Sequence, residues 1–160
     1  MKANVISFLT ILFTITIASG QTVQQQQMKK LDFLIGDWVG VSVMYEDGTI
    51  AKQVPAYEKI SYALDKSIIT IDLKSESLQL HTVIYYDETD KTYYYNSYYK
   101  TGAGRYKAAL LENKFVVTAS PTKRFIFHRT PEGNFQEYGE KLVNGEWVKY
   151  FEDTFKRVEY

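Results

Sequence analysis

From Gly36 to the end of the chain, turn-forming residues recur at short, regular intervals, and no stretch between them shows helical spacing of apolar side chains. Turn signals fall at Glu46-Asp47-Gly48, Asp65-Lys66, Asp87-Glu88-Thr89-Asp90, Thr101-Gly102-Ala103-Gly104, Glu112-Asn113, Ser120-Pro121, Pro131-Glu132-Gly133-Asn134 and Asn144-Gly145. Between them lie alternating runs rich in β-branched and aromatic residues, the pattern of strands with one buried face. Asn144-Gly145 is the strongest of these signals, because both residues tolerate the positive φ of a two-residue hairpin turn. The spacing predicts an all-β chain of about nine to ten strands, forming a single antiparallel up-and-down barrel.

Hairpin registers then assign faces. Around Asn144-Gly145, Leu142 is expected opposite Trp147, Tyr138 opposite Phe151 and Gln136 opposite Asp153, which puts Gln136, Asp153, Phe155 and Arg157 inside and Glu137 outside. The hairpin at Asp65-Lys66 groups Glu58, Ile60, Tyr62, Ile69, Ile71 and Leu73 on one face. The hairpin at Asp87–Asp90 is expected to pair Thr82 with Tyr95 and Ile84 with Tyr93. That register turns Tyr93, Tyr95 and Tyr99 inward and leaves Tyr94 and Tyr98 outside.

The N-terminal residues have a different character. Lys2, an apolar run from Val5 to Ile17 and the small residues Ala18-Ser19-Gly20 read as a signal peptide over residues 1–20, cleaved before Gln21. The apolar run is shorter than the ~20 residues a membrane span needs, so no stable anchor is expected after cleavage. Residues 21–27 read as a flexible polar leader, and residues 28–160 as the barrel domain. Met28, Leu31, Leu34 and Ile35 have helical spacing and predict a short helix that plugs or flanks one end. With no cysteine anywhere, the fold must hold itself through its core rather than through disulfides. Nineteen basic residues balance nineteen acidic ones, which argues against nucleic acid as a partner. The expected location is secreted or periplasmic, as a monomer or weak dimer.

The residues at both ends of the domain resemble a known pattern. Leu31-x-Phe33-Leu34-x-Gly36-x-Trp38 opens the first strand, Glu58 falls on the second, and Gly145-x-Trp147…Phe151-Glu152-x-Thr154-Phe155-x-Arg157 closes the chain. This is similar to the calycin superfamily of lipocalins and fatty-acid-binding proteins, and most of all to exported bacterial lipocalin-like domains of unknown function. The resemblance implies that Trp38 sits at the closed end of the barrel and packs against Arg157. It implies a fold more than a function.

Chemistry-bearing residues are sparse. His81 and His128 lie on different strands without close spacing, a weak metal signal. The nitrobindin family, another calycin-like barrel, binds haem through a His near the C-terminal end; the segment from Glu146 to Tyr160 has none, so haem is disfavoured and no cofactor is expected. No Gly-x-Ser-x-Gly elbow or Ser-His-Asp order is present, and no enzymatic activity is expected. Inward carboxylates need partners or water, so Glu58 and Asp153 are candidates to orient a polar group, or less readily to act as an acid–base pair. The candidate ligand-binding set is Trp38, Glu58, Tyr62, Thr82, Tyr93, Tyr95, Asp153 and Arg157, surrounding a small hydrophobic or amphipathic molecule. The alternative is an interaction module that binds glycan or protein through surface tyrosines Tyr94 and Tyr98.

Overall fold

Alternating side chains produce ten antiparallel strands: β1 (Gly36–Glu46), β2 (Thr49–Ala63), β3 (Ile68–Ser75), β4 (Gln79–Asp87), β5 (Thr92–Tyr99), β6 (Gly102–Leu111), β7 (Lys114–Ser120), β8 (Lys123–Arg129), β9 (Phe135–Val143) and β10 (Glu146–Arg157). The structure is a computed structural model and describes residues 21–76 and 78–159; the expected signal peptide lies outside them. Each strand pairs with the next in sequence, and β1 pairs with β10, so the sheet closes on itself and leaves no edge. The sequence signals missed one connection, between β3 and β4, which carries neither Gly nor Pro.

One end of the barrel is plugged. Helix α1 (Val23–Lys29) leads into a 3₁₀ turn at Asp32–Leu34, and Met28, Leu31 and Leu34 are fully buried. They join Ile60, Ile69, Ile71, Ile84, Phe115, Phe135 and Phe155 in one apolar cluster. Full burial of such side chains contributes about 1.5–3 kcal/mol each.

The helix begins earlier than the sequence suggested, inside the stretch read as a leader. Thr22 and Gln25 form a reciprocal capping box. Gln24 Nε2 donates to the Ser67 carbonyl at 3.0 Å and Gln25 Nε2 to the Asp65 carbonyl at 2.7 Å. The glutamines that gave the segment its disordered composition instead pin the plug to the β2–β3 turn.

Trp38 is the hub of the closed end. Its indole N–H donates to the Leu34 carbonyl at 2.9 Å, and its ring lies 5.4 Å from that of Phe135. The Gly-x-Trp spacing has a steric cause: a Cβ on Gly36 would sit 2.9 Å from the Trp38 indole, and φ there is +156°. Two guanidinium groups lie over the indole. Arg157 is 5.6 Å from its centroid, as the resemblance implied, but Arg129 is nearer, at 4.2 Å. Arg129 also donates from Nε to the Phe33 carbonyl and from Nη1 to the Gly133 carbonyl, both at 2.7 Å, so it ties β8 to the plug. Arg157 makes one longer bond, Nη2 to the Ile35 carbonyl at 3.2 Å; it shares the inward face with Trp38, its direct partner across β1 and β10, but stays exposed at the barrel end.

Arg129→Ala is therefore expected to destabilise the fold by about 1–2 kcal/mol in urea titration, through lost cation–π and hydrogen-bond contacts. Arg157→Ala is expected to cost less than half of that. Equal losses would remove the distinction between the two.

Candidate functional site

The site is set by an extra residue in β10. Trp147 opposes Leu142 as the hairpin signal predicts, but the register shifts between Lys149 and Phe151, so Phe151 faces Gly139 and Asp153 faces Glu137. The shift reverses the expected faces of β9. Glu137 points inward and is buried, whereas Gln136 points outward, its Oε1 accepting from His128 Nε2 at 2.9 Å and its Nε2 donating to Thr154 Oγ1 at 3.3 Å. Gly139 allows the bulge: a Cβ there would meet the Phe151 ring at 2.3 Å and the Tyr150 ring at 2.6 Å. A glycine inside a strand is a recognised mark of a bulge. It was the available signal for Glu137.

Along each inward face a polar residue replaces the apolar one as the strand leaves the closed end. Two residues toward the open end from Ile60, Ile84, Tyr95, Phe135 and Phe155 come Glu58, Thr82, Ser97, Glu137 and Asp153. All five polar residues are buried. Among the described residues, Glu58 Oε2, Thr82 Oγ1, Ser97 Oγ and Asp153 Oδ1 have no hydrogen-bonding partner. Such groups are costly when dry.

Three carboxyls in this layer interact. Burial, and then the negative charge of Asp153, pushes Glu58 up to about 8. Burial holds Glu137 well above the usual carboxylate range, with the charges of Glu58 and Asp153 adding to it. Asp153 is also raised by burial, but hydrogen bonds from Ser42 and from the Glu137 carboxyl oppose the rise. Asp153 is thus the member most readily ionised, with protonated Glu137 as its donor. Tyr95 is raised by burial and by the neighbouring charge of Glu137, so its hydroxyl stays protonated.

Above this floor lies a cavity of about 800 Å³. Ser42, Glu137 and Asp153 border it below, Tyr95, Tyr99, Phe125, Phe127, Tyr150 and Phe151 form aromatic walls, and Lys123 and Lys141 stand at the exposed rim. Its volume lies within the range of small-molecule sites.

The structure divides the eight candidate residues. Tyr95 and Asp153 border the cavity; Glu58 and Thr82 lie in the buried polar layer without bordering it. Trp38, Tyr62, Tyr93 and Arg157 are at the closed end, away from the cavity. The Tyr93 hydroxyl donates to the Gln27 carbonyl at 2.9 Å, and that of Tyr62 donates to the Met28 carbonyl at 3.1 Å and to Asp32. Both anchor the plug. The β4–β5 register is two residues off the expectation, with Ile84 opposite Tyr95 and Tyr86 opposite Tyr93. A shift of two preserves the faces.

On the outer surface, Tyr98 is half exposed but Tyr94 is only 7% exposed. Tyr94 is stacked on Tyr85 at 5.5 Å, covered by Arg105 at 3.9 Å, and bonded through its hydroxyl to Asp90. Among the described residues no group of three His, Cys, Asp or Glu side chains is arranged to hold a metal ion.

No protein-family model matches the sequence, and no curated protein matches it. Among solved structures, the chain is similar to a protein of unknown function from the DUF3598 family of Nostoc punctiforme. That likeness has 9% identity and a TM-score of 0.30, and covers 82% of this chain and 99% of the other.

Two outcomes follow from this geometry. Glu58 binds its proton more tightly in the folded chain than in the unfolded one, where its pKa is 4.5. Its contribution to stability is therefore fully present below pH 4.5 and is lost as pH rises toward 8. At 1.36 kcal/mol per pKa unit, the loss between pH 4.5 and 7 is roughly 3 kcal/mol. Thermal melts should show Tm falling from pH 5 to 8, with a flatter profile in Glu58→Gln; a parallel profile in the variant would contradict the assignment. Gly139→Ala should destabilise by about 1–3 kcal/mol through overpacking against Tyr150 and Phe151, read from the urea midpoint.

Proposed function

We propose that this chain is a calycin-like binding protein that holds a small molecule of mixed polarity inside its barrel. The observation that carries this reading is the cavity of about 800 Å³, which opens between aromatic walls onto a floor where Asp153 Oδ1 lacks a partner. A barrel folded only for stability would be filled, as its closed half is. Here interior volume and unsatisfied polarity coincide, which is what a ligand with an apolar body and a polar head would complete.

The calycin-like assignment rests on the Gly36-x-Trp38 opening, the helical plug and the cationic cover on the indole. The signal-like residues 1–20 support export to a periplasmic or extracellular setting.

An acid–base role for Glu58 and Asp153 meets part of its requirement, since the two carboxyls interact and both are raised. Only Asp153, however, borders the cavity. Binding is therefore assigned in preference to catalysis. The outer-tyrosine alternative is weakened by the covering of Tyr94, which leaves Tyr98 as the exposed member of that pair.

The test is titration with the neutral fluorophore N-phenyl-1-naphthylamine, with native mass spectrometry to fix stoichiometry. One molecule should bind with a fluorescence increase. Ala56→Phe and Leu80→Trp, both in the cavity wall, should reduce affinity at least tenfold, and Tyr98→Ser should leave it unchanged. Loss in Tyr98→Ser alone would move the binding surface outside.

A further inference from the structure

The floor of the cavity has a chemical bias that the mixed-polarity reading does not use. Glu58, Glu137 and Asp153 are buried together, and among the described residues no Lys, Arg or His is buried with them. The cations nearest the cavity, Lys123 and Lys141, stand at its exposed rim. The two arginines of the closed end are engaged with the Trp38 indole and the carbonyls of Phe33, Gly133 and Ile35. Among the described residues the three carboxyls therefore have no internal counter-ion.

Each class of ligand meets this floor differently. A carboxylate or phosphate would add negative charge to a site that already resists ionisation. A neutral hydroxyl could pair with Asp153 Oδ1 but would leave the floor uncompensated. A protonated amine supplies both missing parts, because its N–H groups donate and its charge stabilises ionised carboxyls. The walls agree with that choice: Tyr95, Tyr99, Phe125, Phe127, Tyr150 and Phe151 offer ring faces to a cation and its apolar body.

We propose that the cavity selects organic cations, namely a primary or secondary ammonium on an aromatic or alkyl body, with the ammonium seated on Asp153 and Glu137 and with Glu58 behind them. The proposal rests on the cavity-binding reading and narrows it to one ligand class. Binding is coupled to protons: as the cation enters, a carboxyl of the Glu137–Asp153 pair releases its proton to solvent, and the charge of the site is conserved. The titratable groups facing this pair are Glu58 on β2, Tyr95 on β5 and Tyr150 on β10, while Glu152, on the outer face of β10 and paired with Lys149, acts on Asp153 only through its charge. Burial keeps the two tyrosines protonated. Because free floor carboxyls hold protons that the cation displaces, amine affinity rises with pH across the range where they titrate.

A matched trio on one body tests this: 2-(1-naphthyl)ethylamine, 2-(1-naphthyl)ethanol and 1-naphthylacetate, titrated by calorimetry on the full barrel at pH 6 and pH 8. The amine should bind at least tenfold more tightly than the alcohol at pH 8. Its affinity should increase from pH 6 to pH 8, and its binding heat should vary with buffer ionisation enthalpy as a released proton requires. Glu137→Gln and Asp153→Asn should each abolish that preference while the alcohol still binds, which also shows that the variants are folded. Equal affinities for amine and alcohol, or tighter binding of the carboxylate, would overturn the amine assignment and leave the cavity reading intact. If none of the three binds, both readings fall. A preference that survives both substitutions would place the amine away from the floor and overturn the proposal.

Discussion

Seven paired positions between β1 and β10, from Trp38–Arg157 to Met44–Phe151, join the first strand to the last. Everything else in the molecule depends on that seam. It removes the two edges an open sheet would present, and it makes β9, β10, β1 and β2 consecutive neighbours around the barrel. Residues far apart in sequence thereby share one interior wall: Glu58 from β2, Ser42 from β1, Asp153 from β10 and Glu137 from β9. The carboxyl floor is a product of closure. An unclosed sheet would leave Asp153 on the edge strand at one side and Glu58 one strand in from the edge at the other, far apart and each ordinary.

Closure also creates an energetic tension along the barrel axis. The closed half is filled by the plug, Trp38 and the phenylalanines of β7, β8, β9 and β10, and it supplies the apolar burial that stabilises the fold. The next layer does the opposite, with three acids and two hydroxyls held away from water. Burial acts on these acids by retaining their protons, which lowers the cost of keeping charge in a poorly solvated place. The polar layer thus opposes the fold most when its protons leave, and the packed half offsets that cost. Such a layer at the bottom of an open cavity places unsatisfied polar chemistry where a ligand can reach it.

The sequence made much of this architecture readable. Turn residues and alternation located the strands, Asn144-Gly145 set its hairpin, and the Asp65-Lys66 hairpin placed Glu58 on the face of Leu73, its partner in the structure. The failures have specific causes. Gln24 and Gln25 have a disordered composition, yet their amides find backbone carbonyls only after the β2–β3 turn has formed beside them. Arg129 lies 91 positions from Trp38 in the chain and meets it only through the folded barrel, so no local pattern could pair them. Glu137 was assigned to the wrong face because one added residue at Tyr150 reverses every side chain beyond it on the partner strand. Gly139 was the legible clue. The cavity itself was not legible, because its walls come from residues on many strands whose packing no local sequence pattern carries.

The central claim is that closure assembles a proton-retaining carboxyl cluster on the floor of an open cavity. Its most direct measurement is a ¹³C NMR titration of the Asp and Glu side-chain carboxyl carbons in the ligand-free protein. The account predicts that Glu58 titrates near pH 8, with Glu137 also far above the remaining carboxylates and coupled to Asp153 in its transition. If all three instead titrate with the surface carboxylates near pH 4, the cluster is hydrated and independent, and the account is contradicted.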